Sequence, residues 1–79
     1  MSGISEESKY FLYLLEQYAL RKKITGKQVL DLFMKQNIID YIYSMYYTYH
    51  TETVENAIND IDNKIKWLKS LQSKLEGKS

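Results

Sequence analysis

Between Val54 and Leu75 the residues Val54, Ile58, Ile61, Ile65 and Leu68 recur at alternating steps of four and three, and no proline or glycine interrupts them. Side chains three and four apart share one face of an α-helix. The stretch from Glu52 to Leu75 is therefore expected to form one long amphipathic helix, with Thr51 or Thr53 capping its start. Ala57, Leu71 and Leu75 lie along a stripe that drifts to one side. Such drift marks a repeat slightly shorter than the helical period of about 3.6 residues and favours left-handed supercoiling against another helix. Gly77 is the expected stop.

The preceding chain supplies shorter elements to cover that stripe. After a loose Met1–Ile4, Ser5 can cap a helix whose first turn carries Glu6 and Glu7, where the dipole favours negative charge. Phe11, Leu14, Leu15 and Tyr18 share its inner face, flanked by Leu12 and Ala19, and it is expected to end near Lys22 or Lys23. Thr25-Gly26-Lys27-Gln28 has the form of a capping box, with Gln28 reaching back to Thr25. It opens a helix to about Gln36 with Val29, Leu30, Leu32 and Phe33 as core candidates, and Asn37 can take the left-handed conformation that ends it.

Ile38–Thr51 (IIDYIYSMYYTYHT) holds five of the eight tyrosines and the only histidine. Alternation and tyrosine content favour a strand, but a strand needs a partner and nothing else in the chain reads as one. As a helix, Ile38, Ile42, Met45 and Tyr49 line one face with Ile39 and Tyr46 beside them, while Asp40, Ser44, Tyr47 and Thr48 fall opposite. The helix is the expected form. The fold expected for residues 1–79 is thus a single all-α domain: a small bundle of three short helices plus a longer, partly projecting C-terminal helix, with 66–79 as a helical extension and tail.

Composition narrows the function classes. A chain of 79 residues has a small core and often needs a disulfide, a metal or a partner. It has no cysteine, and one histidine without thiolates is a poor metal set, so self-association or a protein partner is the expected aid. Absence of cysteine fits a reducing cytoplasm, and no apolar run or N-terminal pattern reads as a membrane span or signal peptide. A net charge of +1 carries no general attraction to nucleic acid. No cofactor and no small-molecule substrate is expected.

Three sets of residues are candidates for function. The first is the outer strip of the tyrosine-rich stretch, Asp40, Tyr43, Ser44 and Tyr47, together with Trp67, Leu71 and Leu75 on the projecting end; exposed tyrosines with no flanking arginine look like a protein-contact patch. The second is the cationic group Arg21, Lys22, Lys23 and Lys27, a weak phosphate candidate that also serves to neutralise a helix C-terminus. A helix-turn-helix reading of Thr25–Thr48 fails on charge, because its reading helix carries Asp40 and no lysine or arginine. The third is His50, expected to donate to helix-terminal carbonyls or to pair with Asp60 or Asp62; no nucleophile or second acid is spaced to make it catalytic.

The last helix is also polarised, with Glu52, Glu55, Asp60 and Asp62 ahead of Lys64, Lys66, Lys69 and Lys74. Such order suits the helix dipole and an outer solvated face. It also suits an antiparallel pair of copies in a two-fold dimer.

Thr25-Gly26-Lys27-Gln28-Val29-Leu30-Asp31-Leu32-Phe33 resembles a (S/T)-G-K-x-V-x-x-L-F pattern, and Asp40-Tyr41-Ile42, His50-Thr51 and Asn59-Asp60-Ile61-Asp62 follow in a matching order. In this the chain, from about Tyr10 to Ile65, resembles the bacterial domain-of-unknown-function family numbered thirty-seven ninety-one. It departs in carrying Tyr49 where the family more often has leucine, and in extending past Ile65. The resemblance implies a short, cytoplasmic, helical protein without assigned activity, encoded near an ADP-ribosyltransferase-like protein as a toxin's antidote-like partner would be. The function expected is protein–protein interaction, the alternative a small nucleic-acid-binding regulator; an enzyme is not expected.

Overall fold

The computed structural model describes residues 3–76, which form five helices and no strand. Ser5, in extended conformation, caps α1 (Glu6–Lys22) by accepting from the Ser8 amide, and Glu6 and Glu7 occupy the first turn. Lys23 takes the left-handed conformation at φ 60° and ends α1, its amide returning to Ala19 and Leu20. Thr25 and Gln28 form the complete reciprocal capping box of α2 (Gly26–Lys35). Asn37, at φ 59°, turns the chain after it.

Gly26 sits where α2 crosses α1: a Cβ there would lie 3.2 Å from Leu15 Cδ2, so the absent side chain lets the two helices approach closely. Phe33 then packs between Phe11 and Tyr18, with ring centroids 6.3 and 5.3 Å away.

The tyrosine-rich stretch is helical but divided into α3 (Ile39–Ser44) and α4 (Tyr46–Tyr49). The expected single helix breaks at Met45, whose amide is shared between the Tyr41 and Ile42 carbonyls, each 3.1 Å away, tightening one turn. Its neighbours are tyrosines and a serine, poor helix formers that offer little resistance to such a change. The inner face is nevertheless the expected one: Ile38, Ile42 and Tyr49 are buried and Ile39, Met45 and Tyr46 half-buried.

Thr53 caps α5 (Val54–Glu76), so this helix starts two residues later than expected. Thr51 instead donates its hydroxyl to the Thr48 carbonyl. Ala57, Ile58, Ile61 and Ile65 close the core against Leu14, Val29, Phe33 and Ile42. Leu32 is half-buried, and Leu30 faces outward, correcting its assignment to the core; the α2 surface that meets α1 is narrower than the run of leucines implies. The molecule measures 53 × 25 × 24 Å, elongated because α5 outruns the other helices. Every residue from 69 to 75 is exposed. Gly77, the expected stop, lies outside the described residues.

Candidate functional site

The acidic half of α5 faces the bundle. Asp60 Oδ2 accepts hydrogen bonds from the Tyr41 hydroxyl at 2.7 Å and from the Tyr49 hydroxyl. Asp62 takes the Tyr18 hydroxyl on one oxygen and Lys22 Nζ on the other, each at 2.7 Å. Glu55 pairs with Arg21, which holds its carboxyl below the usual range. Burial, reinforced by the neighbouring carboxylates, pushes the Tyr18, Tyr41 and Tyr49 hydroxyls above the ordinary tyrosine range. Burial likewise raises Tyr10, helped by Tyr13 and Glu52. These carboxylates lock α5 onto α1, α3 and α4, so Glu55, Asp60 and Asp62 are already engaged before any second copy arrives.

His50 pairs with neither Asp60 nor Asp62, which are occupied. Its ring lies flat on Tyr46, 4.4 Å between centroids, and Nδ1 donates to the Tyr46 carbonyl at 2.7 Å. The carbonyl can only accept, so the Nδ1 proton is fixed by the bond. This is the carbonyl-donating alternative for His50, at the end of α4.

The outer strip divides. Asp40, Ser44 and Tyr47 are exposed, Tyr47 by 74%. Ser44 spends its hydroxyl on the Tyr41 carbonyl at 2.7 Å. Tyr43 is half-buried against Phe11, 5.2 Å between ring centroids, with its hydroxyl 2.9 Å from Ser8 Oγ. It fastens α3 to α1 and leaves Tyr47 as the prominent surface aromatic of the strip.

On α5, Trp67, Leu71 and Leu75 are 56%, 42% and 72% exposed. They succeed one another at four-residue steps and so line one face of the projecting end. Lys64 Nζ lies between two rings, 4.6 Å from the Tyr41 centroid and 5.2 Å from that of Trp67. Through this cation–π bridge the start of the projecting face is oriented by the tyrosine-rich stretch.

The four cations named as phosphate candidates do not converge as free charges. Arg21 pairs with Glu55, Lys22 with Asp62, and Lys27 with Asp31 one turn along α2. Lys23 forms the left-handed end of α1.

Sequence reasoning missed two grooves. One, of about 570 Å³, lies at the α1–α2 corner between Leu12, Ala19, Leu20 and Ile24. The other, of about 490 Å³, runs between the α1–α2 turn and α5, floored by Ile24, Leu32 and Ile65 and edged by Lys66 and Lys69. The spacing of Lys66 and Lys69 around the Ile65 stripe is visible in the sequence; the arrival of Ile24 and Leu32 opposite them depends on how α2 crosses α1. Among the described residues no group of acidic or histidine side chains is placed to hold a metal ion, and no helix is long and apolar enough to cross a membrane.

The helices and their polar ties span the stretch that a comparison with protein families picks out. Residues 9–67 match the family described as "Protein of unknown function (DUF3791)". The chain belongs to this family. The match runs from α1 into α5 and ends at Trp67, so the exposed residues Leu71 and Leu75 lie beyond it. No curated protein and no solved structure matches the chain.

Proposed function

We propose that this chain is a protein-binding module and that the projecting end of α5 is its principal contact surface. The observation that carries this reading is the exposure of Trp67, Leu71 and Leu75 on one helix face, past the point where the other helices cover α5. Large apolar side chains gathered on an exposed face lower their free energy by docking, and tryptophan is a favoured anchor in such contacts. Tyr47 adds a second exposed aromatic on the face of α4.

A binding role is favoured over catalysis because the polar clusters are spent on structure. Asp60 and Asp62 hold tyrosine hydroxyls, and His50, exposed at the end of α4, stacks on Tyr46. Protein is favoured over nucleic acid because α3 and α4 are six and four residues long and carry no lysine or arginine, a poor element for a phosphate-lined groove. A hetero-partner is favoured over a charge-matched antiparallel dimer, since Glu55, Asp60 and Asp62, three of the four carboxylates that such a dimer would use, are tied within the chain. The narrower role of antidote-like partner to an ADP-ribosyltransferase-like protein draws its support from the family resemblance.

A tagged pulldown from the native cell, with mass spectrometry and nucleic-acid quantitation on one eluate, tests the reading. The expected eluate contains a stoichiometric protein and little RNA or DNA; bound nucleic acid without such a protein would reverse the assignment. Light scattering at high micromolar concentration separates the two protein readings: a monomer mass supports a hetero-partner, a dimer mass a second copy.

A further inference from the structure

The groove between the α1–α2 turn and α5 has a composition that specifies what enters it. Its floor is aliphatic: Ile24 from the turn, Leu32 from α2 and Ile65 from α5. Lys66 and Lys69 stand on one wall, three residues apart and hence about one helical turn along α5. Lys22 stands on the other wall but is neutralised by Asp62 at 2.7 Å. Lys66 and Lys69 are exposed and form no ion pair among the described residues. The groove therefore combines an apolar floor with two uncompensated positive charges on a single wall.

We propose that this groove takes an acidic amphipathic helix of a partner protein, whose apolar side chains enter over Ile24, Leu32 and Ile65 and whose carboxylates meet Lys66 and Lys69. The proposal rests on the protein-binding reading and names the chemistry of the partner. Carboxylates three or four residues apart on a helix lie on one face at the spacing that Lys66 and Lys69 present. An apolar stripe beside them fills a groove in the manner of helix-in-groove recognition. A small anion satisfies the lysines but leaves the aliphatic floor wet. A single-stranded nucleic acid wants exposed rings on which bases stack, and the one aromatic lining the groove, Tyr18, is buried with its hydroxyl held by Asp62. A second copy is poorly matched because Glu55, Asp60 and Asp62 of α5 already serve the fold.

The test is fluorescence anisotropy on the full chain with three labelled probes: a helical peptide with leucines on one face and flanking glutamates, the same peptide with glutamine for glutamate, and a single-stranded oligonucleotide. The acidic peptide is expected to bind, and the glutamine peptide to bind at least about tenfold more weakly, as loss of paired charges predicts. Lys66→Glu with Lys69→Glu is expected to abolish acidic-peptide binding, and Lys66→Ala with Lys69→Ala to weaken it, with the helical circular dichroism of both variants unchanged. Equal binding of the two peptides, no binding of the acidic one, or oligonucleotide binding that these variants remove would each overturn the proposal. If the acidic peptide fails while a native partner is still captured through Trp67 and Leu71, the groove assignment alone falls. If no protein is captured by any route, the wider reading falls with it.

Discussion

The Tyr49 hydroxyl donates to the Asp60 carboxylate, joining the last residue of α4 to the early turns of α5 across the short loop that holds His50. Tyr41 reaches the same oxygen from α3, so a single carboxylate fixes both halves of the tyrosine-rich stretch to the long helix. Tyr49 is buried, and its ring in the core presents the hydroxyl to Asp60. Tyr49→Phe removes the donor, keeps the ring and leaves Asp60 with Tyr41 alone. The expected loss is about 1.5–3 kcal/mol, the range for a hydrogen bond to a charged group. Urea denaturation of the variant checks it; a loss no larger than that of an exposed Tyr47→Phe control would contradict the role given to this bond.

Alkaline pH attacks the same ties. The Tyr18 and Tyr49 hydroxyls hold their protons above the ordinary tyrosine range, because burial and the adjacent carboxylates disfavour a phenolate. In the unfolded chain they ionise near about pH 10. Unfolding above that pH therefore releases protons, and stability, fully present below pH 10, falls as pH rises. The slope is about 1.4 kcal/mol per pH unit for each such tyrosine while it stays protonated in the folded state. Urea midpoints measured from pH 8 to 11 are expected to be flat at first and then to drop, with a shallower drop for Tyr18→Phe.

Lys23 is held at φ 60°, a conformation that costs a side-chain-bearing residue about 1–2 kcal/mol relative to the right-handed region. Glycine avoids this cost at a helix end. Lys23→Gly is expected to raise stability by up to about 1 kcal/mol once the greater freedom of unfolded glycine is offset. A thermal melt shifted downward would show that the Lys23 side chain makes a contribution larger than its backbone strain.

The two ends of the α5 apolar stripe are expected to respond differently to truncation. Ile61 is fully buried, and Ile61→Ala is expected to cost about 2–5 kcal/mol. Leu71→Ala and Leu75→Ala remove exposed side chains and are expected to change stability by less than about 0.5 kcal/mol. Chemical denaturation of the isolated chain measures all three. A large loss at Leu71 would mean that the end of α5 is already covered in solution, as in a dimer.

Local chemistry explains what was legible in the sequence. Ser5, the Thr25–Gln28 box and Asn37 act through bonds or backbone angles set within a few residues, and each performs the role its sequence position predicts. The apolar faces of α1, α3 and α5 followed from spacing alone. The break at Met45 did not, because no proline or glycine marks it and it consists of one amide shared between two carbonyls. Leu30 was misplaced because α2 has more apolar residues than α1 can cover. Tyr41, Tyr49 and Asp60 could be seen singly, but their convergence needs the turn through His50 to be known. The same holds for Tyr43, read as surface and found clasping Phe11 and Ser8. For the candidate surface, Trp67, Leu71 and Leu75 were legible because nothing earlier in the chain is long enough to cover them. The groove beside Lys66 and Lys69 was not, since half its wall comes from the α1–α2 corner.

The most direct test of the protein-binding account compares native-cell pulldowns of the intact chain and of a Trp67→Ala, Leu71→Ala double variant, with equal amounts of folded bait verified by circular dichroism. The account predicts a protein captured stoichiometrically by the intact chain and depleted at least about tenfold by the double variant, the effect of losing one anchoring side chain or more. A partner retained in full by the variant, or an eluate whose only specific component is nucleic acid, would contradict it.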